Sequence, residues 1–198
     1  MVSLAEVGAS LALVGQLDLA LVDLSFPQED GTGLEALVRI HQHSRATKLA
    51  VITQGDEWVA DILRDAWELL PITTVISKSA PLTYQLQAIS DVLINGTAPP
   101  DPAIQPLLPT RRDSTRTPER FARLVQHAGH AKLWTSLVAV DDASYKAMAN
   151  HSGLKLNTLK NYRAQLVDEL VVHGLHDPTL RDMRRFAKRC WPFLEPYI

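Results

Sequence analysis

Three polar side chains stand where short apolar runs end. Asp23 follows Leu19-Ala20-Leu21-Val22, Thr53 follows Lys48-Leu49-Ala50-Val51-Ile52, and Lys78 follows Ile72-Thr73-Thr74-Val75-Ile76-Ser77. Runs of this kind, separated by helical patterns, read as strands buried on both faces of a parallel sheet. In an open α/β sheet the carboxyl ends of the strands share one edge, and ligands collect there. A carboxylate, a hydroxyl and an ammonium at that edge suit phosphoryl chemistry. Asp23 would accept the group, while Thr53 and Lys78 would hold its oxygens. The plainer alternative is three polar caps on strand ends.

A second pattern runs from Ser144 to Arg163. Tyr145, Met148 and Ala149 form an apolar face on one short helix. Gly153 permits a positive φ at the turn, and Leu154 plugs it. Leu159, Leu166 and Leu170 continue a buried stripe on a second helix, with Tyr162 beside it. The opposite face carries Asn157, Thr158, Lys160, Asn161, Arg163 and Gln165, with Lys155 at its start. Such side chains hydrogen-bond base edges or phosphates when a helix enters a major groove.

The elements that must position these residues follow from periodicity. Before residue 95 the order is αβαβαβα: helices at about 4–17, 34–41, 58–70 and 81–93 alternate with the three strands. That order implies a parallel sheet with crossover helices. Prolines 99, 100, 102, 106 and 109 then exclude a continuous helix and favour an extended spacer over 95–116. After it the pattern is all helix, at about 118–128, 130–139, 142–151, 156–170 and 178–190. Pro118 suits a first helical position behind Thr117, and Pro192 ends the last helix. The expected domains are therefore 1–94 and 117–198, joined by a linker at 95–116.

Charge divides the chain at the same place. Residues 1–109 hold five basic and thirteen acidic side chains, a balance of −8, whereas 110–198 hold fifteen and nine, a balance of +6. The basic half suits a polyanion, because each phosphate contact needs a cation to displace counterions. No apolar run approaches bilayer-spanning length, and the first residues lack a signal-peptide pattern, so a cytoplasmic protein is expected. The single cysteine, Cys190, agrees with a reducing compartment.

The run from Leu19 through Asp23 to Phe26-Pro27, with Gly31 and Gly33, resembles the phosphoacceptor segment of response-regulator receiver domains. Val51-Ile52-Thr53 is similar to their switch-threonine strand, and Val75-Ile76-Ser77-Lys78 to the strand bearing the family lysine. The resemblance covers about 4–94. It implies a flavodoxin-like α/β fold with Asp23 as acceptor, Thr53 as switch hydroxyl and Lys78 as phosphate-sensing cation. Receivers open with a strand ending in an acidic pair that holds Mg²⁺, then a helix and a second strand. Only 22 residues precede Asp23 here, and they read as the helix that follows those elements. A receiver-like fold lacking its first β-α-β is expected. No cofactor is expected, and Mg²⁺ would bind only if the missing acidic pair were supplied.

The pattern from Lys146 through Ala149, Gly153 and Leu154 to Asn157-Thr158-Leu159-Lys160-Asn161 resembles the LuxR-type helix-turn-helix, or NarL-type effector domain. The resemblance implies that the second helix reads the major groove through residues 157–165, with double-stranded DNA and a second subunit as partners. Lys155 stands where a capping serine is usual. A sigma-factor region-four module carries a similar motif, and a basic bundle that binds protein would share the pattern.

Together these readings describe a DNA-binding transcriptional regulator of the response-regulator type that works without phosphorylation, and not an enzyme. Two alternatives stay open. One is a functional phospho-receiver with a mis-assigned start, served by a sensor histidine kinase. The other is a protein-binding adaptor without DNA binding. The tail helix carries Arg181, Arg184, Arg185, Lys188 and Arg189 on one side. It would touch a DNA backbone, support a dimer or be a solvated face. The histidine pairs 41/43, 127/130 and 173/176 lack a third ligand, and zinc sites need three or four. Gly31-Thr32-Gly33 lacks the Gly-Lys-Ser/Thr of a phosphate loop.

Overall fold

The three apolar runs form three strands in the computed structural model, which describes residues 7, 9–11, 13, 15–25 and 32–198. Strands β1 (Leu19–Asp23), β2 (Lys48–Thr53) and β3 (Ile72–Ser77) are parallel and lie in the order β1-β2-β3. Val51 pairs with Val22 on one side and Val75 on the other. Leu49, Ala50 and Val51 of the central strand are fully buried, because neighbours on both sides and helices on both faces exclude water. The edge strand departs from the expectation of burial on both faces. Ala20 and Val22 are buried, but Leu21 between them is 39% exposed. Successive side chains point to opposite faces, so Leu21 shares its face with Leu19, which packs at the border of the Ile76, Ala88 and Val92 cluster.

Helix α1 (Gly33–His43) buries Leu34, Leu37, Val38 and Ile40 and packs on β1. Its first residue must be glycine. A Cβ there would stand 2.0 Å from the carbonyl oxygen of Asp23 and 2.6 Å from the Cα of Leu24. The close approach brings the helix start to the end of β1, where the Gly33 N–H donates to the Leu24 carbonyl at 3.3 Å. A 3₁₀ turn (Glu57–Val59) leads into α2 (Ala60–Leu69), which buries Ile62, Leu63, Ala66 and Leu69. Helix α3 (Leu82–Asn95) follows Pro81 and ends at Gly96, whose φ of +85° closes the last turn. It seats Ala88 and Val92 against Ile76 of β3. Of the expected helix at 4–17, residues 7, 9–11 and 13 are helical, and the rest of its core lies outside the described residues, as do Phe26, Pro27 and Gly31.

The stretch expected as an extended spacer is instead part of the first unit. Thr97 to Asp101 runs along the outer edge of β3. The Ala98 N–H donates to the Thr73 carbonyl at 3.2 Å, and the Asp101 N–H to the Val75 carbonyl at 2.8 Å. Pro99 and Pro100 have no N–H to give, so they fall between the two residues that pair, and no regular fourth strand forms. Ala98, Asp101 and Ile104 are buried. Arg112 donates to the Ile72 carbonyl at 2.7 Å and lays its guanidinium over the Trp67 ring at 4.4 Å. The chain divides at Asp113/Ser114, near the end of the expected linker. Prolines ruled out a helix here, but they do not prevent an apolar segment from covering a sheet edge.

The second unit, Ser114–Ile198, is helical. Its first element is a 3₁₀ helix (Pro118–Leu124) where an α-helix was expected. Phe121 and Leu124 are both fully buried, and their separation of three puts them on one side of a three-residue turn. Then come α4 (Ala128–Ala139), α5 (Tyr145–Ser152), α6 (Leu156–Val172), α7 (Leu180–Arg189) and the short α8 (Trp191–Leu194). The core gathers Phe121, Leu133, Trp134, Met148, Leu166 and Phe186. Phe121 stacks on Phe193 with ring centroids 5.2 Å apart, and Trp134 lies 6.2 Å from Phe186. Arg120 grips both carboxylate oxygens of Glu169, tying the 3₁₀ helix to α6.

Candidate nucleic-acid interface and strand-end cluster

At the carboxyl edge of the sheet, Asp23 closes β1, Thr53 closes β2 and Lys78 follows β3. The structure brings two of the three side chains together. The Lys78 ammonium is ion-paired with Asp23 Oδ2, while Asp23 Oδ1 accepts the Ser25 N–H at 3.0 Å. Both carboxylate oxygens are therefore engaged. Thr53 is turned elsewhere: its buried hydroxyl accepts the Gly55 N–H at 3.2 Å, and its carbonyl accepts the Lys78 N–H at 2.8 Å. Gly55 is needed there, with φ +79°. Among the described residues no three His, Cys, Asp or Glu side chains gather as a metal site requires. Among the described residues Asp23 by itself offers too few oxygen ligands for Mg²⁺.

In the second unit, the turn between α5 and α6 is built from local bonds. The Ser144 hydroxyl accepts the Ala147 N–H at 3.2 Å and caps α5. Gly153 adopts φ +68°, and the Ser152 hydroxyl donates to the Met148 carbonyl at 2.7 Å while accepting the Leu154 N–H. Lys155 occupies the cap position of α6 without a side-chain bond to its backbone, so the first turn of α6 keeps unsatisfied N–H groups. Leu159, Leu166 and Leu170 are fully buried and fix which face α6 shows to water.

That face holds Lys155, Asn157, Lys160 and Asn161, all exposed, with Thr158 half-buried beside them. The Lys160 ammonium lies 5.7 Å from the centre of the Tyr145 ring. Two other expected DNA-contacting side chains make hydrogen bonds within the unit, Arg163 from a half-buried position and Gln165 from an exposed one. Arg163 donates to the Tyr145 hydroxyl at 3.3 Å and to the Pro178 carbonyl. Gln165 accepts from His130 Nε2 at 3.0 Å. These bonds tie α6 to the start of α5, to the approach to α7 and to α4. Sequence reading missed them because the partners lie 15, 18 and 35 residues away.

His130 belongs to a cluster that the sequence showed only as a spaced pair. Its Nδ1 accepts the Gln126 N–H at 3.4 Å, which leaves the proton on Nε2 for Gln165. Burial lowers its affinity for a second proton. The Gln165 bond opposes that shift and the neighbouring His127 adds to it. His127 Nδ1 caps α4 by accepting the Gly129 N–H at 3.0 Å. The Tyr162 ring covers Gly129 so closely that a Cβ there would stand 2.4 Å from it. In the sequence this contact leaves only a glycine, Gly129, near the start of a helical pattern.

No described helix is long and apolar enough to cross a membrane. No family model matches the chain, and no curated protein matches it. Among solved structures, the chain is similar to a Salmonella typhimurium RcsB response regulator described for its conformational dynamism in DNA interaction. Identity there is 14%, over 90% of this chain and 79% of that one, with a TM-score of 0.42. A structure of two RcsB dimers bound to two parallel DNAs is 16% identical over 79% of this chain and 69% of its own, also with a TM-score of 0.42. RcsB from Salmonella enterica serovar Typhimurium bound to a promoter is 13% identical, with 90% of this chain and 78% of that one covered and a TM-score of 0.37. These superpositions are loose, and the functional reading rests on this chain's own side chains.

Proposed function

We propose that the protein is a DNA-binding transcriptional regulator of the response-regulator type. On this reading the first unit, Met1–Asp113, is a receiver-like module and the second, Ser114–Ile198, a helix-turn-helix DNA-binding domain. The observation that carries it is the exposed polar face of α6. Lys155, Asn157, Lys160 and Asn161 project from its first turns, behind a glycine turn, in a half of the chain with a balance of +6. Asparagine side chains suit adenine edges in the major groove, and lysines suit phosphates. The partners are duplex DNA and a second copy of the chain, in the cytoplasm, and no reaction is catalysed.

The test is duplex binding by the full chain across a range of salt. Affinity is expected to fall steeply as salt rises. Lys160→Ala should weaken binding to all sequences alike and lower the salt slope by about 1. Asn157→Ala or Asn161→Ala should change sequence preference, read by mapping bound sites across a genome. No measurable duplex affinity at low salt would reject the regulator and favour an adaptor that binds protein.

Regulation on this reading is independent of phosphorylation. Lys78 already neutralises Asp23, and no cluster among the described residues fits the divalent cation that phosphoryl transfer needs. Acetyl phosphate with Mg²⁺ is expected to leave the intact mass unchanged. A gain of one phosphoryl group that disappears in Asp23→Ala would restore the phospho-receiver and its sensor histidine kinase.

A further inference from the structure

Helix α7 has two faces of opposite character. Met183, Phe186 and Ala187 are buried against the unit's core, while Arg181, Arg185 and Lys188 are exposed on the other side. Arg184 sits between them and donates to the Asp141 carbonyl at 2.7 Å, which fixes that face of α7 against the loop before α5. The result is a shallow groove lined by Arg181, Arg184, Arg185 and Lys188, with Asp141 and Asp142 on its far wall. Four cations against two anions leave it positive. Among the described residues no salt bridge holds Arg181, Arg185 or Lys188, although the Thr179 hydrogen bonds, helped by nearby Arg185, keep the Asp182 carboxyl below its usual range. Thr179 and Asp182 form a capping box that starts α7 firmly, so the stripe rides on an ordered helix.

Hydrogen bonds tie the start of α5 and the approach to α7 to α6. Pro178, two residues before α7, accepts from Arg163 of α6, and Arg163 also holds the Tyr145 hydroxyl. The Tyr145 ring in turn faces Lys160. One chain of contacts thus leads from the exposed end of α6 to the basic stripe of α7.

We propose that Arg181, Arg185 and Lys188 form a second phosphate-binding surface, which grips the backbone of the same duplex that α6 enters. This rests on the DNA-binding reading above. From residue 181 to 188 the helix rises about 10 Å at about 1.5 Å per residue. Phosphates of one strand rise about 3.4 Å each along the duplex axis, so the stripe spans about three of them. Three cations at i, i+4 and i+7 face one way, as a run of backbone phosphates requires. They make no base contacts and therefore add affinity without adding sequence preference.

The test compares the full chain with its Arg181→Gln/Arg185→Gln/Lys188→Gln variant on one preferred duplex and one scrambled duplex. Each lost phosphate contact is worth about 0.9 in the slope of log affinity against log salt. The triple variant should therefore lose about 2.7 from the slope and bind both duplexes more weakly by the same factor. Lys188→Gln alone should lose about 0.9, which keeps the test decisive if the triple variant folds poorly. A wild-type slope in both variants would overturn the second surface while leaving α6 as reader. A drop in preference for the chosen duplex would overturn it too, because it would make the stripe a base reader. A wild-type chain without duplex affinity removes the DNA-binding reading itself, and this surface with it.

Discussion

Trp134→Ala is expected to destabilise the second unit by about 3–5 kcal/mol, the range found when a large aromatic residue is truncated in a core. Trp134 is fully buried on α4 and packs near Phe186 of α7. Its indole N–H donates to the Leu124 carbonyl at 2.8 Å. Truncation leaves a cavity between the 3₁₀ helix and α7, and it also leaves that carbonyl without its donor. An unsatisfied buried group adds about 1–3 kcal/mol to the cost. Domains of this size are stable by about 5–15 kcal/mol, so the loss takes a large share. The melting temperature should fall by more than about 12 °C, since each kcal/mol moves a small domain by about 4–8 °C. Cys190 supplies an independent readout. Its thiol is fully buried at the end of α7 and should react with a thiol reagent much faster in the variant. A melting temperature within a few degrees of wild type would show that the core does not depend on the indole.

Leu21→Lys is expected to shift the chain from an associated species to a monomer at the same concentration. The two edges of the sheet differ. The outer edge of β3 is paired by Ala98 and Asp101, whereas β1 meets only β2 among the described residues. An unpaired strand edge is a template for a second strand, because pairing satisfies its backbone groups. Leu21 adds 39% exposed apolar surface at the centre of that edge. Leu86 and Ile94 of α3 are 56% and 78% exposed, so the same unit offers further apolar area. Two copies joined along β1 would bury Leu21 and complete both ladders. A lysine there keeps the backbone but resists desolvation. Light scattering of wild type and variant decides it. A wild type that stays monomeric at high concentration would contradict the prediction and point to another segment over the edge.

Much of the local structure was legible in the sequence. The runs at 48–53 and 72–77 are strands with those bounds, and the helical patterns around residues 34, 60, 82, 145 and 156 are helices. Those signals are short-range: apolar periodicity and Gly153 at a turn act within a few residues. The strand-end placement of Asp23, Thr53 and Lys78 follows from the same periodicity, because strands in parallel order end at one edge. Whether the three side chains meet did not follow. Thr53 instead accepts the Gly55 N–H in the loop after β2, where Gly55 lies against Ile104, distant in sequence.

The amino-acid sequence by itself determined the element types, the parallel strands, the all-helical second half and the division of charge. It did so because periodicity, turn residues and charge are properties of neighbours along the chain. Only the tertiary structure decided which polar side chains stay available. Arg163 and Gln165 belong to the same polar set as Asn157 and Lys160 in the sequence, yet Arg163 is half-buried on the Pro178 carbonyl and Gln165, though exposed, is bonded to His130. The proline-rich stretch likewise looked like a spacer until Ala98 and Asp101 found the carbonyls of Thr73 and Val75. In each case the partner is distant in sequence, and a hydrogen bond is set by distance and angle in space, which no local pattern encodes.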